Sequence, residues 1–284
     1  MRSLIFNIAF ILTTIVAAII CFLLSLIPGR APLMWGLRRY TKTMVWHMRW
    51  LAGIKMSVSG HENIPDGPVI IASKHQSYGD GFVLFSQFKD LSFVTGDHIT
   101  KFIFIGTILA KMNAVVVSSC GGAEVRRQFT ETAKLIQEQG RQILIFPEGH
   151  LSQVGTHHSY KSGVYHLYRD FNCPVLPVAQ NLGQRWHMMD FKKFPGAAKM
   201  EFLEPIQPGL KKKEFMALLQ ERIETRSLEL LDYDDLGALD PTRVGQLSEN
   251  KVAKAARRKR EQEKAERLEQ ADAEKSETDK ETPS

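Results

Sequence analysis

The segment Pro68–Asp80 reads PVIIASKHQSYGD, an apolar run that ends abruptly in a polar loop. The run is rich in Val and Ile and has the length of a buried strand. Similar short runs recur along the chain. We therefore predict strands at Lys55–Ser59, Pro68–Ser73, Leu91–Thr95, Ala114–Val117, Gln142–Phe146, Pro174–Ala179 and Lys199–Phe202.

Helix-like stretches separate these strands. We predict helices at Gly81–Phe88, Lys101–Lys111, Ala123–Gln139, Gly163–Asp170 and Lys213–Leu231. Such alternation is typical of an α/β domain with a largely buried sheet. In α/β sheets the chemistry tends to lie at the carboxyl ends of strands, and here KHQS follows one predicted strand and PEGH follows another.

The amino-terminal run Leu4–Ile27 is apolar and uncharged. As a helix it would be roughly 36 Å long, enough to cross a hydrocarbon core. The alternative is a signal peptide, but the apolar core of a signal peptide is only about 7–15 residues long. We predict a membrane-embedded helix over residues 1–28. More basic residues follow the run than precede it, so a single span would leave the body of the protein at the cytoplasmic face.

Residues 29–54 combine Trp35, Trp46 and Trp50 with Arg and Lys at helical spacing. The pattern fits an interfacial amphipathic helix or an ordinary helix packed on the core. Residues 55–238 are predicted to form the catalytic domain. Residues 239–284 are predicted to be a charged helical or disordered tail because large apolar residues are almost absent there.

The charge and cysteine content narrow the class of partner. The net charge is +6, which favours anionic partners such as a membrane surface. Nucleic acid is not expected, because acidic residues interleave with the basic cluster Arg257–Arg260 in the tail. The three cysteines are scattered without metal-ligand spacing, which favours a reducing compartment.

His75 and Asp80 are separated by five positions. In a regular helix they would lie roughly 140° apart, so they can meet only if His75 is in the loop and Asp80 in the first helical turn. Ser77 and Asp80 resemble a capping box, which would begin a helix there. Asp80 would then orient the His75 ring, whose Nε2 would accept a proton from an attacking hydroxyl. The alternative is a loop histidine beside a helix cap.

A second motif, ILIFPEGH, places Phe146-Pro147-Glu148-Gly149 at the end of another strand. The H-x4-D pattern followed by F-P-E-G resembles the glycerolipid acyltransferase family. The resemblance covers about Lys55–Leu231 and includes YKSG at Tyr160–Gly163 and CPVLPVAQN at Cys173–Asn181.

The resemblance implies a fold, an activity and a set of site residues. The expected fold is a central mixed sheet flanked by helices, with an N-terminal membrane helix. The expected reaction moves a fatty acyl group from acyl-coenzyme A or acyl-carrier protein to a lysolipid hydroxyl, converting 1-acylglycerol-3-phosphate to phosphatidic acid in phospholipid biosynthesis. Neither a metal nor a cofactor is expected. His75 would be the general base and Asp80 its orienting partner.

The resemblance also implies contacts with substrate. Glu148 would position the acceptor, and backbone amides near Gly149 would hold the oxyanion. The residues expected to bind substrate are Phe146, Pro147, Glu148, Gly149, Lys161 and Lys101.

Three basic positions of the family are missing. Gly96, Ser119 and Leu151 stand where relatives often have Lys or Arg. One explanation is that other cations replace them, with candidates Arg126, Arg127, Lys161, His150 and His98. Another is a different acceptor, either a capped lysophospholipid or lyso-ornithine lipid. A catalytically silent lipid-binding relative and a hydrolase using the same dyad are further alternatives.

Overall fold

A computed structural model describes residues 1–97, 99, 104–117, 123–187 and 190–239 of the protein. Residues Met1–Leu239 form one compact unit. Lys101 and Ser119 lie outside the described residues, and so does the tail beyond Leu239.

A seven-stranded sheet organises the described chain. Its order is β1-β7-β6-β2-β5-β3-β4. Neighbouring strands are parallel except for the antiparallel pair β6 and β7, which confirms the expected mixed sheet. The strands are β1 Ile54–Ser59, β2 Ile70–Ser73, β3 Leu91–Gly96, β4 Val115–Val117, β5 Gln142–Ile145, β6 Val175–Gln180 and β7 Gly196–Phe202.

Helices cover the sheet and precede it. They are α1 Arg2–Leu26, α2 Ala31–His47, α3 Gly79–Gln87, α4 Ile105–Met112, α5 Ala123–Glu138, α6 Gly163–Phe171 and α7 Lys212–Glu229. A π-helical turn, Met48–Ala52, continues α2. Every predicted strand and helix is present with shifted ends; α3, for example, begins at Gly79 rather than Gly81.

The central strand β2 is buried on both faces. Ile71 belongs to an apolar cluster with Leu144, Leu176 and Trp186, whereas Ile70 and Ala72 belong to a second cluster that includes residues of α6 and α7. A strand covered on both faces needs a continuous apolar run rather than an alternating one. This requirement explains the apolar run VIIA. Because β2 is the fourth of the seven strands across the sheet, its carboxyl end lies midway along that edge of the sheet.

Helix α1 lies against the body of the protein along one side. Phe6 is fully buried and meets Trp186 edge to face at 5.0 Å, Thr14 hydrogen-bonds the Tyr40 hydroxyl at 2.9 Å, and Cys21 packs near α4. Its other side is exposed and apolar from Leu4 to Ile27. The helix is long and apolar enough to cross a membrane.

Helix α2 packs on the core along one side, as one of the two alternatives expected. Its inner side is buried in the core through Leu33, Met34 and Met44. Trp35 and Trp46 on α2, and Trp50 in the π-helical turn, are each more than half exposed, at 64%, 53% and 63%. The segment is therefore packed on the core and also presents indole rings to the surroundings.

Candidate active site

The two sequence motifs meet because β2 and β5 are parallel neighbours in register. Ala72 lies opposite Ile145, so the loops that follow both strands leave the sheet side by side. The His75 amide donates to Glu148 Oε1 at 3.1 Å. The His75 ring stacks on Phe146, with ring centroids 3.8 Å apart and an angle of 16° between the planes. Backbone and ring of His75 are thus both held by the F-P-E-G segment.

Asp80 holds the other edge of the His75 ring. His75 Nδ1 lies 3.1 Å from Asp80 Oδ2, and the same oxygen accepts the amides of Gln76 and Ser77 at 2.7 and 2.8 Å. The Asp80 side chain is fully buried. Because Asp80 Oδ2 already accepts two amide protons, we assign it as the acceptor of the Nδ1 proton, which leaves Nε2 as the basic nitrogen. The imidazole is 21% exposed, which gives a substrate access to it.

The predicted capping box is half correct. Asp80 accepts the Ser77 amide as expected, but Ser77 Oγ accepts the Gly79 amide at 3.0 Å instead of the Asp80 amide. Gly79 is required by packing, since a Cβ there would lie 2.7 Å from Leu182 and 2.9 Å from Trp186. The tight loop brings Asp80 back to His75.

Glu148 lies deeper than the sequence indicated. Its side chain is fully buried, with Oε1 accepting the His75 amide and Oε2 accepting Lys74 Nζ at 3.1 Å. This placement differs from the expected contact with the acceptor. Backbone amides near Gly149 are expected to hold the oxyanion, and the Gly149 amide itself donates to Phe146 O at 3.0 Å.

Lys161 is beside the F-P-E-G turn. Its amide donates to Pro147 O at 2.7 Å, and a Cβ added to Gly149 would lie 3.3 Å from Lys161 Cγ. Gly149 has φ +72°, which a residue with a side chain rarely adopts. The Lys161 side chain is exposed, so its ammonium can reach a ligand at this edge.

Two histidines add to this basic edge. His150 is exposed, and its ring meets that of His158 edge to face at 4.6 Å. Gly96 and Leu151 occupy their positions without a cationic side chain. His98 and the side chain of Arg126 lie outside the described residues. Within the part of the chain that the structure describes, no three His, Cys, Asp or Glu side chains are grouped to hold a metal ion.

A buried charge cluster behind His75 was not predicted. Lys74 Nζ donates to both oxygens of Glu224 at 2.8 and 2.9 Å, and Tyr160 donates to Glu224 Oε1 at 2.8 Å. His157 Nδ1 lies 3.8 Å from Glu224 Oε2. One signal was present in the sequence: Glu224 interrupts the buried side of α7, next to Ile223.

Mutual contacts set the ionisation of this cluster. Burial alone would raise the pKa of the Glu224 carboxyl, but His157, Lys74 and Tyr160 outweigh it and lower that pKa. The contact with Glu224 raises the pKa of His157 despite partial burial. Burial, and then the neighbouring carboxylates, raise the pKa of Tyr160 well above its ordinary value, so Tyr160 stays a donor.

Comparisons with known proteins agree with this architecture. A family model described as Acyltransferase matches residues 55–181. A 1-acyl-sn-glycerol-3-phosphate acyltransferase of Pseudomonas aeruginosa is 31% identical over 179 residues, which cover 63% of this chain and 70% of that protein. A protein of the same name from Saccharomyces cerevisiae is 27% identical over 134 residues, covering 46% of this chain and 44% of that protein.

The fold has a solved counterpart. The crystal structure of the 1-acyl-sn-glycerophosphate (LPA) acyltransferase PlsC from Thermotoga maritima matches with a TM-score of 0.65 and 20% identity, over 81% of this chain and 94% of that chain. Fold and sequence matches together define an acyltransferase enzyme. The chain belongs to the glycerolipid acyltransferase family, which confirms the resemblance inferred from H-x4-D and F-P-E-G.

The ion pair between His157 and Glu224 predicts a pH-dependent stability. The contribution of His157, whose pKa is raised from 6.5, is complete below 6.5 and is lost as the pH rises through its folded-state pKa. The contribution of Glu224, whose pKa is lowered from 4.5, is complete above 4.5. The His157→Gln variant should therefore lose most stability between pH 4.5 and 6.5.

Chemical unfolding of the detergent-solubilised protein at about pH 5.5 and about pH 8.5 measures this difference. His166→Gln, which changes an exposed histidine on α6, is the matched control. An equal loss of stability at both pH values in His157→Gln would contradict the ion pair.

Proposed function

We propose that the protein transfers a fatty acyl group from an acyl thioester to the free hydroxyl of a lysolipid. The observation that carries the proposal is the pair of His75 and Asp80, a partly exposed imidazole whose Nδ1 is held by a buried carboxylate. Such a pair activates a hydroxyl. A module that only bound lipid would have no use for an oriented base.

In the proposed mechanism, His75 Nε2 accepts the proton of the acceptor hydroxyl while the hydroxyl oxygen attacks the carbonyl carbon of the thioester. The resulting imidazolium is stabilised by Asp80. Collapse of the tetrahedral intermediate breaks the C–S bond, and the departing thiolate takes the proton back from Nε2. The oxyanion needs preorganised donors. Because the Gly149 amide bonds Phe146, we assign this role to amides of the loop that follows Gly149.

The preferred acceptor in this proposal is 1-acylglycerol-3-phosphate, and the product is phosphatidic acid. The names of the relatives from Pseudomonas aeruginosa and Saccharomyces cerevisiae support it. A phosphate monoester requires cations, and the exposed Lys161 and His150 lie at the F-P-E-G turn together with the half-buried His158. They would supply the charge that Gly96 and Leu151 do not provide.

A different acceptor is the second candidate. Gly96 and Leu151 support it, because neither can replace a bidentate Arg–phosphate contact. A capped lysophospholipid or lyso-ornithine lipid would need less positive charge at that edge. The donor in either case is acyl-coenzyme A or acyl-carrier protein.

We also propose that the protein works on a membrane, with α1 embedded in one leaflet. The exposed side of α1 is apolar from Leu4 to Leu26, and Trp35, Trp46 and Trp50 are exposed nearby in sequence. Indole rings favour the headgroup level of a bilayer. Because the inner side of α1 contacts the body from Phe6 to Cys21, a full crossing would draw the body into the lipid. Cytosolic acyl donors would place this site at the cytoplasmic face.

Acyl transfer by purified protein in detergent tests the reaction. Labelled acyl-coenzyme A and acyl-carrier protein are each offered with 1-acylglycerol-3-phosphate, a capped lysophospholipid and lyso-ornithine lipid. His75→Ala should lower kcat on the order of 100-fold or more, since general-base catalysis contributes about 10²–10⁴-fold. Undiminished transfer by His75→Ala would overturn the mechanism. Free fatty acid as the main product would establish a hydrolase instead.

Lys161→Gln tests the acceptor site. The variant should raise KM for 1-acylglycerol-3-phosphate by about 10-fold, because a hydrogen bond to a charged group contributes about 1.5–3 kcal/mol. The KM for the acyl donor should stay unchanged. Lys134→Gln, at an exposed lysine of α5, is the control. If Lys161→Gln leaves the acceptor KM unaltered, Lys161 does not bind the phosphate.

Vesicle flotation tests the membrane face. Protein dialysed from detergent with vesicles of phosphatidylcholine and phosphatidylglycerol should float with them. Ile8→Asp/Ile15→Asp should remove that binding. Transfer of the exposed apolar side of α1 into the lipid drives binding, and a carboxylate on that side opposes the transfer. Leu135→Asp, at an exposed leucine of α5, should float normally. Flotation of the α1 variant at the wild-type level would refute the proposed face.

A further inference from the structure

Lys74 is one of the most completely buried charged residues of the described chain. It is 1% exposed and lies between two carboxylates, Glu148 at 0% and Glu224 at 4% exposure. Its ammonium donates to Glu148 Oε2 at 3.1 Å and Thr156 O at 3.2 Å, in addition to both oxygens of Glu224. Burying three charges is costly, and apolar side chains of similar volume often serve packing as well or better. The cluster therefore requires an explanation other than packing.

The position of the cluster supplies that explanation. Lys74 directly precedes His75, and it fixes the carboxylate whose other oxygen accepts the His75 amide. The backbone of Lys74 is held as well, since its amide donates to Val178 O at 3.2 Å and its carbonyl accepts Gln180 Nε2 at 3.1 Å. Because Lys74 and His75 are consecutive and share the Glu148 carboxylate, a displacement of Lys74 would also displace the backbone of His75.

Helix α7 contributes the second carboxylate that binds Lys74, that of Glu224. Glu224 lies beyond the region matched by the family model, which ends at residue 181. The Tyr160 hydroxyl fixes Glu224 Oε1, and Ser227 on the same helix accepts the Gln180 amide at 3.2 Å. The lowered pKa of Glu224 keeps it ionised and able to bind the ammonium at neutral pH. A carboxylate on the last described helix is thereby tied to the catalytic loop.

We propose that Lys74 and Glu224 are positioning residues for acyl transfer, acting through Glu148 on the backbone of His75. The inference rests on the proposed role of His75 as general base. It predicts that weakening the cluster impairs the chemical step and leaves substrate binding intact, because none of the three side chains is exposed to substrate.

Steady-state kinetics of the full-length protein test this proposal with four variants: Tyr160→Phe, Glu224→Gln, Lys74→Met and the double variant Lys74→Met/Glu224→Gln. Glu221→Gln makes the same change at an exposed site on α7 and is the matched control. His75→Ala is assayed in parallel. Circular dichroism and thermal unfolding identify any variant that does not fold.

We expect Glu224→Gln to lower kcat by about 10-fold with both KM values nearly unchanged, since small displacements of a catalytic group cost up to about 10²-fold. Tyr160→Phe should lower kcat less. Lys74→Met should be the most impaired, because it leaves the buried Glu148 without a cation and Glu224 with only His157. The double variant should recover part of kcat, because it removes one of those carboxylates. The fall in kcat at unchanged KM, in variants that unfold at the wild-type temperature, distinguishes positioning from a general loss of structure.

Wild-type kcat in both Glu224→Gln and Tyr160→Phe would overturn the proposal, and these two mild variants decide the matter if Lys74→Met does not fold. A rise in KM equal to the fall in kcat would also overturn it. If His75→Ala is inactive while Glu224→Gln and Tyr160→Phe are both fully active, only the positioning role fails. If His75→Ala retains activity, the proposed function itself fails.

Discussion

The site depends on the two contacts that the buried carboxylate of Glu148 makes with His75 and Lys74. One oxygen accepts the His75 amide and the other accepts the Lys74 ammonium. A polar or charged group without water must be paired and hydrogen-bonded, and at this depth both partners of Glu148 are in place. Those partners lie together only because β2 and β5 are parallel and in register. The geometry of the catalytic residues therefore depends on the order and register of the strands.

Much of this arrangement is encoded locally and could be predicted. Short runs of Val and Ile bounded by Gly and polar residues gave the strands, and the spacing of His75 and Asp80 implied a loop followed by a helical turn. The two motifs fall at the ends of neighbouring strands, where α/β sheets place their chemistry. Family membership followed from those motifs.

Other features depend on contacts that no local pattern contains. Glu224 is 150 positions from Lys74 in the chain, so only the folded structure brings them together. The depth of Glu148 was also invisible, because F-P-E-G has the same letters whether its carboxylate contacts substrate or backbone. The motif suggests amides near Gly149 for the oxyanion, but it cannot show that the Gly149 amide itself donates to Phe146 O. Composition predicted the apolar character of α1 but could not reveal that one side packs on the body.

That packing connects the proposed membrane face with the active site. Phe82, two positions after Asp80 on α3, meets Phe10 of α1 at 6.0 Å and Tyr40 of α2 at 5.4 Å. Trp186 meets Phe10 at 5.6 Å. Aromatic contacts of this kind bury large areas and fix relative orientation. Helix α1 therefore supports the helix that carries Asp80, in addition to presenting an apolar surface. An enzyme whose acceptor is an amphiphile, as in the proposed function, needs its base close to the lipid. The cluster of Phe10, Tyr40, Phe82 and Trp186 serves this need, because it links the apolar helix α1 to α3, which carries the aspartate that orients His75.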